Sequence, residues 1–180
     1  MKKNPAEILT TIETDPVTGE YFTIIPEWIM NEMNWYEGNS IKFDCTSANT
    51  SLSAGSNLQL IQYFEGQDLQ DIQKGTSTAR EITVSFYVKT NKTGTYVVEL
   101  MDHDNSNRHC SKSYTVSDTN WNRYTLTFPA DTTGAFGNDN GASLWVRFWL
   151  AAGTNFTSGT SQTTWASSND ANICPGQTAQ

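Results

Sequence analysis

The stretch that most directly indicates the fold is Leu144-Trp145-Val146-Arg147-Phe148-Trp149-Leu150. Its apolar residues alternate strictly with two indoles and a guanidinium, and successive side chains of a β-strand point to opposite faces of the sheet. One face is therefore that of a sandwich core. The other carries Trp145, Arg147 and Trp149, a set suited to stacking on sugar rings or on a partner protein. Alternatively, a loop or a neighbouring chain covers both indoles.

The composition of the 180-residue chain is typical of all-β proteins with many turns, and of extracellular or virion proteins. Charged residues make up only 17% of it and aromatic residues 12%. The length suits one good-sized domain, or one domain with an appendage. A formal net charge of −8 repels phosphate backbones, so nucleic acid is not an expected main partner. No apolar run approaches the roughly 20 residues of a membrane helix, and we expect no membrane partner.

The N-terminus and the cysteines indicate the cellular compartment in which the protein is made. No apolar segment follows Lys2 and Lys3, so the start of the chain does not resemble a secretory signal. Cys45, Cys110 and Cys174 lie far apart, are odd in number and lack metal-binding spacing. We expect reduced thiols, in a protein made in a cytoplasm.

Residues 1–40 differ from the rest of the chain. A turn at Asp15-Pro16-Val17-Thr18-Gly19 separates two short β-prone runs, 9–13 and 21–25, which predicts a β-hairpin. Pro26 suits the first position of a following short helix. We interpret the segment as an attachment or oligomerisation element, or as an N-terminal arm without an independent fold. Its apolar contact residues would be Phe22, Trp28, Ile29, Met33 and Trp35.

Three short motifs in this segment carry a resemblance. They are Thr14-Asp15-Pro16-Val17-Thr18-Gly19-Glu20-Tyr21, Ile25-Pro26-Glu27 and Trp35-Tyr36-Glu37-Gly38-Asn39-Ser40. Together they resemble the AbrB/MazE-type swapped-hairpin module, in which two chains interlock into a dimeric barrel that often binds DNA. Seven acidic residues against two lysines give residues 1–40 a net charge of −5, which is unsuited to a DNA groove. An AbrB-like DNA-binding regulator is therefore the third-ranked hypothesis.

From residue 41 onward, short strands alternate with turn clusters. The alternating pattern predicts strands at 41–46, 58–64, 81–90, 94–102, 111–116, 122–128 and 144–151. At least seven strands at this spacing favour a β-sandwich. We therefore divide the chain into residues 1–40 and a sandwich over 41–180, whose polar tail after Gly159 is expected to run as an extended loop.

Several blocks of this larger part appear in a specific order. They are Tyr63-Phe64-Glu65-Gly66-Gln67-Asp68-Leu69-Gln70, Thr83-Val84-Ser85-Phe86-Tyr87-Val88-Lys89, Asn91-Lys92-Thr93-Gly94-Thr95-Tyr96, Trp121-Asn122-Arg123-Tyr124-Thr125-Leu126-Thr127-Phe128-Pro129, Asp139-Asn140-Gly141, Arg147-Phe148-Trp149-Leu150-Ala151-Ala152-Gly153 and Thr163-Thr164-Trp165. Together they resemble a jelly-roll domain common in phage virion proteins and related in architecture to carbohydrate-binding modules. The resemblance implies a jelly-roll β-sandwich in which Trp121 is a packed core residue.

The chain departs from that pattern at its end. Relatives in this group usually continue into a further strand that closes the sandwich, whereas this chain ends in a polar tail. A missing edge strand would leave backbone groups unpaired. The N-terminal segment or another subunit could fill the gap, which favours an assembled protein and a homo-oligomer.

Catalytic and metal-binding patterns are weak. Asp102, Asp104 and Asn105 could offer oxygen ligands to Ca²⁺, but the EF-hand spacing is missing and a solvated turn is the better interpretation. His109 and Cys110 are adjacent on a strand and should point to opposite faces. We predict neither an enzyme nor a bound cofactor.

A binding function has better support. Aromatic faces combined with planar polar groups recognise sugars, and Tyr87, Trp145, Arg147 and Trp149 could provide both if their strands are neighbours. We expect a phage virion structural protein on the particle surface, either a capsid decoration or a tail-fibre-type component. It would contact other virion proteins and itself, and could bind host surface polysaccharide. The alternative is a carbohydrate-binding receptor-recognition module.

Overall fold

The computed structural model describes residues 20–26, 40–47, 49 and 51–177, and its architecture is mainly β. The described residues form two antiparallel four-stranded sheets, ordered β2-β1-β4-β7 and β3-β8-β5-β6. Their bounds are β1 Glu20–Pro26, β2 Ile41–Cys45, β3 Asn57–Glu65, β4 Ile82–Thr90, β5 Gly94–Asp102, β6 Arg108–Val116, β7 Asn122–Phe128 and β8 Ala142–Ala152. Short helical segments occur at Gly66–Ile72, Thr154–Thr157 and Asp170–Asn172.

The predicted strands agree closely with the observed ones. β5 and β7 begin and end at the predicted residues, and β8 is longer than predicted by a few residues. β6 begins at Arg108 rather than residue 111, because its first residues still pair with β5 as far as Asp102 opposite Arg108. Local alternation was a sufficient guide here, since turn residues bound each strand.

The core lies between the two sheets. Phe86 of β4 is fully buried, and its ring centroid lies 5.0 Å from those of Tyr114 and Phe148 in the opposite sheet. The predicted core face of β8 is confirmed, since all four of its apolar residues are buried in this cluster: Leu144, Val146, Phe148 and Leu150. The same alternation places Trp145, Arg147 and Trp149 on the outer face of the second sheet.

β5 is buried on both faces, as the apolar content of its two faces suggests. Tyr96, Val98 and Leu100 join the main core. Val97 instead packs with Trp149 and Cys174 in a second, smaller cluster on the outer side of the sheet. Residues 153–177, here termed the C-terminal segment, supply that outer layer, so the polar tail is a cover rather than an extended loop.

The N-terminal strand β1 occupies the interior of the first sheet. It pairs with β2 on one side, with Ile24 opposite Ile41, and with β4 on the other, with Ile24 opposite Val88. The run predicted at 21–25 is thus a strand that contains Phe22, and Pro26 ends that strand. Both edges of β1 are occupied by these two strands, whereas its predicted hairpin partner is the run 9–13. That run, together with Trp28, Ile29, Met33, Trp35 and the predicted helix, lies outside the described residues.

The expectation that Trp121 is a core residue was wrong. Trp121 is 43% exposed and precedes β7, which lies at the edge of the first sheet. A side chain at the start of an edge strand has a neighbouring strand on one side only, so its ring is incompletely covered.

Replacing Phe86 with alanine should lower the free energy of unfolding by about 3–5 kcal/mol, because a cavity would replace an aromatic ring packed between the sheets. Chemical denaturation measures this change. Ser85→Ala on the outward face of the same strand is the control and should stay within about 0.5 kcal/mol of the unmodified protein. Equal effects of the two substitutions would contradict this position of the core.

Candidate binding surface

The outer face of the second sheet is a grid of side chains aligned by strand register. Residues on β3, β8, β5 and β6 oppose one another in three rows across the sheet. The rows are Gln59–Trp149–Val97–Ser113, Ile61–Arg147–Glu99–Ser111 and Tyr63–Trp145–Met101–His109.

Glu99 lies at the centre of this grid and is completely buried. Arg147 Nη2 donates to its Oε1 at 2.7 Å, and Trp149 Nε1 donates to its Oε2 at 2.8 Å. Burial raises the pKa of the Glu99 carboxyl, but polar contacts with His109, Arg147 and Trp149 outweigh burial and hold the pKa below its ordinary value. Glu99 is therefore an ionised carboxylate inside the protein.

The C-terminal segment closes one side of the grid. Phe156 packs on Trp149 with ring centroids 5.0 Å apart, and Gln177 Nε2 donates to the Trp149 carbonyl at 3.0 Å. Trp149 is only 1% exposed as a result. The alternative that a loop covers the indoles is thus correct for Trp149, which cannot stack on a ligand in this structure.

The same segment covers the β6 edge of the sheet. Ser111 N donates to the Gln162 carbonyl at 2.7 Å, and His109 exchanges backbone hydrogen bonds with Ala166. The side chain of His109 is buried beneath the segment, and its Nε2 accepts from Asn169 N at 3.4 Å. The unpaired edge that a strand would otherwise present is protected by the chain itself.

The cysteines are thiols, as expected, and two of them are inaccessible. Cys110 faces the main core while His109 faces outward, which confirms that the pair is poorly arranged for nucleophilic catalysis. Burial raises the pKa of the Cys110 thiol to about 12. Burial also raises the pKa of Cys174, which packs in the outer cluster near Trp149. Both thiols therefore stay protonated and weakly nucleophilic at neutral pH.

The other side of the grid is open and aromatic. Tyr63 is 50% exposed, Trp145 is half-buried, and His103 in the loop after β5 is exposed. The His103 ring stacks on Trp145 at 4.7 Å with an interplanar angle of 22°, and Tyr63 meets Trp145 edge-on at 4.9 Å. We call Tyr63, His103 and Trp145 the aromatic cluster.

The predicted site is therefore divided. Trp145 and Arg147 are partly accessible on one surface, Trp149 is buried, and Tyr87 lies in the other sheet. Phe86 and Val88 point into the core, so Tyr87 faces outward on the opposite side of the sandwich and cannot join Trp145. The sequence patterns did not identify Tyr63 and His103 as site residues. Alternation places Tyr63 on an outward face, but only strand pairing brings it beside Trp145.

Asp102 is fully buried and binds the side chain of Lys74, so the interpretation of this region as a solvated turn was wrong for Asp102. Lys74 Nζ contacts the Asp102 carboxylate, lies 3.1 Å from Asp131 Oδ2, and donates to the carbonyls of Thr133 and Gly134 at 2.8 Å each. The Asp104 carboxylate instead accepts from Gly137 N at 2.8 Å.

Asn105 also belongs to this network, since its side-chain nitrogen donates to both oxygens of Asp102. Within residues 40–47, 49 and 51–177, no group of three or more His, Cys, Asp or Glu side chains is arranged to hold a metal ion.

Asp131 extends this buried charge network. Arg108 binds its carboxylate through Nε at 3.1 Å and Nη2 at 3.0 Å. Burial raises the pKa of the Asp131 carboxyl. The hydrogen bonds from Arg108 and Lys74 lower this pKa by more than burial raises it, so the pKa lies below its ordinary value. The network thus joins the carboxyl groups of Asp102 and Asp131 to the side chains of Lys74 and Arg108.

No family model matches the chain, and no curated protein or solved structure shows significant similarity to it. In the part of the chain that the structure describes, no helix is both long and apolar enough to span a membrane.

Lys74→Met should lower the free energy of unfolding by about 3–5 kcal/mol, because the buried carboxylates of Asp102 and Asp131 would lose a counter-charge. Urea denaturation at pH 7 measures the loss. Lys89→Met, at a half-buried outward position of β4, should change stability by no more than about 0.5 kcal/mol. A loss below about 1 kcal/mol for Lys74→Met would contradict the role assigned to this lysine.

Stability should fall in acid. The folded-state pKa of Glu99 lies below its ordinary value of 4.5, so its contribution is complete above about pH 4.5 and is lost as pH falls through the folded-state pKa. Urea denaturation between pH 7 and pH 3 should therefore show a steeper loss for the unmodified protein than for Glu99→Gln. Parallel pH profiles for the two proteins would refute the contribution of Glu99.

Proposed function

We propose that this chain is a structural protein of a phage particle. It would form a jelly-roll sandwich on the particle surface, as a capsid decoration or tail-fibre-type component, and assemble through contacts with other virion proteins and with itself. The virion assignment comes from the sequence resemblance. The strand pairing supports the jelly-roll part, and the exposed apolar side chains support assembly.

Nested strand pairing is the observation that carries the proposal. A jelly roll is a long antiparallel hairpin rolled into two sheets, so its strand pairs enclose one another. Here β5 pairs with β6, β4 with β7, and β3 with β8. The next enclosing pair would join β2 to a strand that follows β8. In this structure β1 takes the position of that strand, because it pairs with β2 on one side and with β4 on the other. The N-terminal segment therefore supplies the closing strand.

Exposed apolar side chains at sheet edges support assembly. Leu58 of β3 is 49% exposed, and Trp121 is 43% exposed at the start of β7. Both strands lie at edges of the sheets that the described residues form. Edge strands expose unpaired backbone groups, and apolar side chains beside them favour contact with another protein surface.

The purified full-length chain should therefore elute as an oligomer at micromolar concentration in size-exclusion chromatography with light scattering. Leu58→Asp and Trp121→Asp should lower the measured mass, because a charge at an apolar contact opposes burial. Ser85→Asp, on the outward face of the interior strand β4, is the control and should leave the mass unchanged. A stable monomer of the unmodified chain would remove the assembly proposal.

A further inference from the structure

We propose that the aromatic cluster of Tyr63, His103 and Trp145 is a binding site for neutral saccharides. This proposal goes beyond the assembly function, and its residues are not among those that support assembly.

The cluster presents two rings on a rigid support. His103 covers one face of Trp145 and Tyr63 contacts its edge, so the rings left exposed are those of Tyr63 and His103. Trp145 Nε1 is covered and has no hydrogen-bond partner among the described residues, so Trp145 acts as the support. Rings held in place by packing can stack on the apolar C–H face of a sugar with little loss of side-chain freedom.

Polar groups border these rings. His103 Nδ1 lies 3.1 Å from Asn107 Oδ1, so Nε2 is the ring nitrogen that can form a hydrogen bond with a sugar hydroxyl. The Arg147 guanidinium, one row along the sheet from Trp145, is partly exposed. Stacking surfaces beside planar hydrogen-bonding groups are the combination that sugars require.

The charge of the surface selects neutral sugars. The Arg147 guanidinium is compensated by Glu99 at 2.7 Å and therefore offers little attraction to an anionic ligand. Asp104 adjoins His103 along the chain, Glu65 lies two residues after Tyr63, and the whole chain has a formal net charge of −8. A carboxylated or sulfated glycan would be repelled at this site.

Affinity electrophoresis of the full-length chain tests the proposal. Native gels would contain a neutral polysaccharide (dextran, mannan or galactan) or an acidic one (alginate or hyaluronate). We expect at least one neutral polysaccharide to retard the protein. Tyr63→Ala and His103→Ala should each weaken the apparent affinity about tenfold, since each removes one stacking ring. Tyr87→Ala, an outward aromatic residue on the other sheet, is the matched control and should leave retardation unchanged.

Retardation by none of the neutral polysaccharides would overturn the proposal. So would unchanged retardation of both cluster variants with native thermal unfolding, an equal effect of Tyr87→Ala, or stronger binding to the acidic polysaccharides. The oligomeric mass from light scattering is independent of these results, so the saccharide site and the assembly function can fail separately.

Discussion

The organisation of the second sheet depends on the hydrogen bonds that the buried Glu99 carboxylate accepts from Arg147 and Trp149. A buried charge without partners would cost several kcal/mol, and Arg147 and Trp149 of the neighbouring strand supply the compensating donors. Because a slip of one residue would turn both donors to the opposite face, the carboxylate also specifies the register between β5 and β8. The C-terminal segment borders this row, since Ser111 N donates to the Gln162 carbonyl.

That cover separates the two tryptophans of β8. Trp149 belongs to the closed part of the face, where it donates to Glu99 and packs on Phe156. Trp145 lies where the cover ends and is held between Tyr63 and His103 instead. The extent of the candidate saccharide surface thus depends both on β8 and on how far the C-terminal segment covers it.

A second buried charge network begins at the end of β5. Asp102 and Asp131 share Lys74, and Arg108 joins Asp131 to the C-terminal segment by donating to the Trp165 carbonyl at 3.3 Å. Trp165 Nε1 in turn donates to the Pro129 carbonyl at 2.7 Å. These contacts hold three parts of the chain together at one end of the sandwich. They are the residues after the helical segment Gly66–Ile72, the loop after β7 and the C-terminal segment. The Lys74 side chain serves there as the counter-ion of both carboxylates, at a place where the sequence favoured a solvated turn.

The sequence by itself determined where the strands lie and which of their faces enter the core. Alternation within residues 144–150 and at Val84, Phe86 and Val88 is a local property with a period of two residues, and turn residues bound each run. Only the tertiary structure decided which strands are neighbours. It placed Tyr87 and Trp145 in different sheets, put β1 between β2 and β4, and folded a polar tail over Trp149. These outcomes depend on contacts between residues far apart in the chain, which no local pattern encodes. For the same reason Trp145 could be identified from sequence as a candidate site residue, whereas its partners Tyr63 and His103 could not.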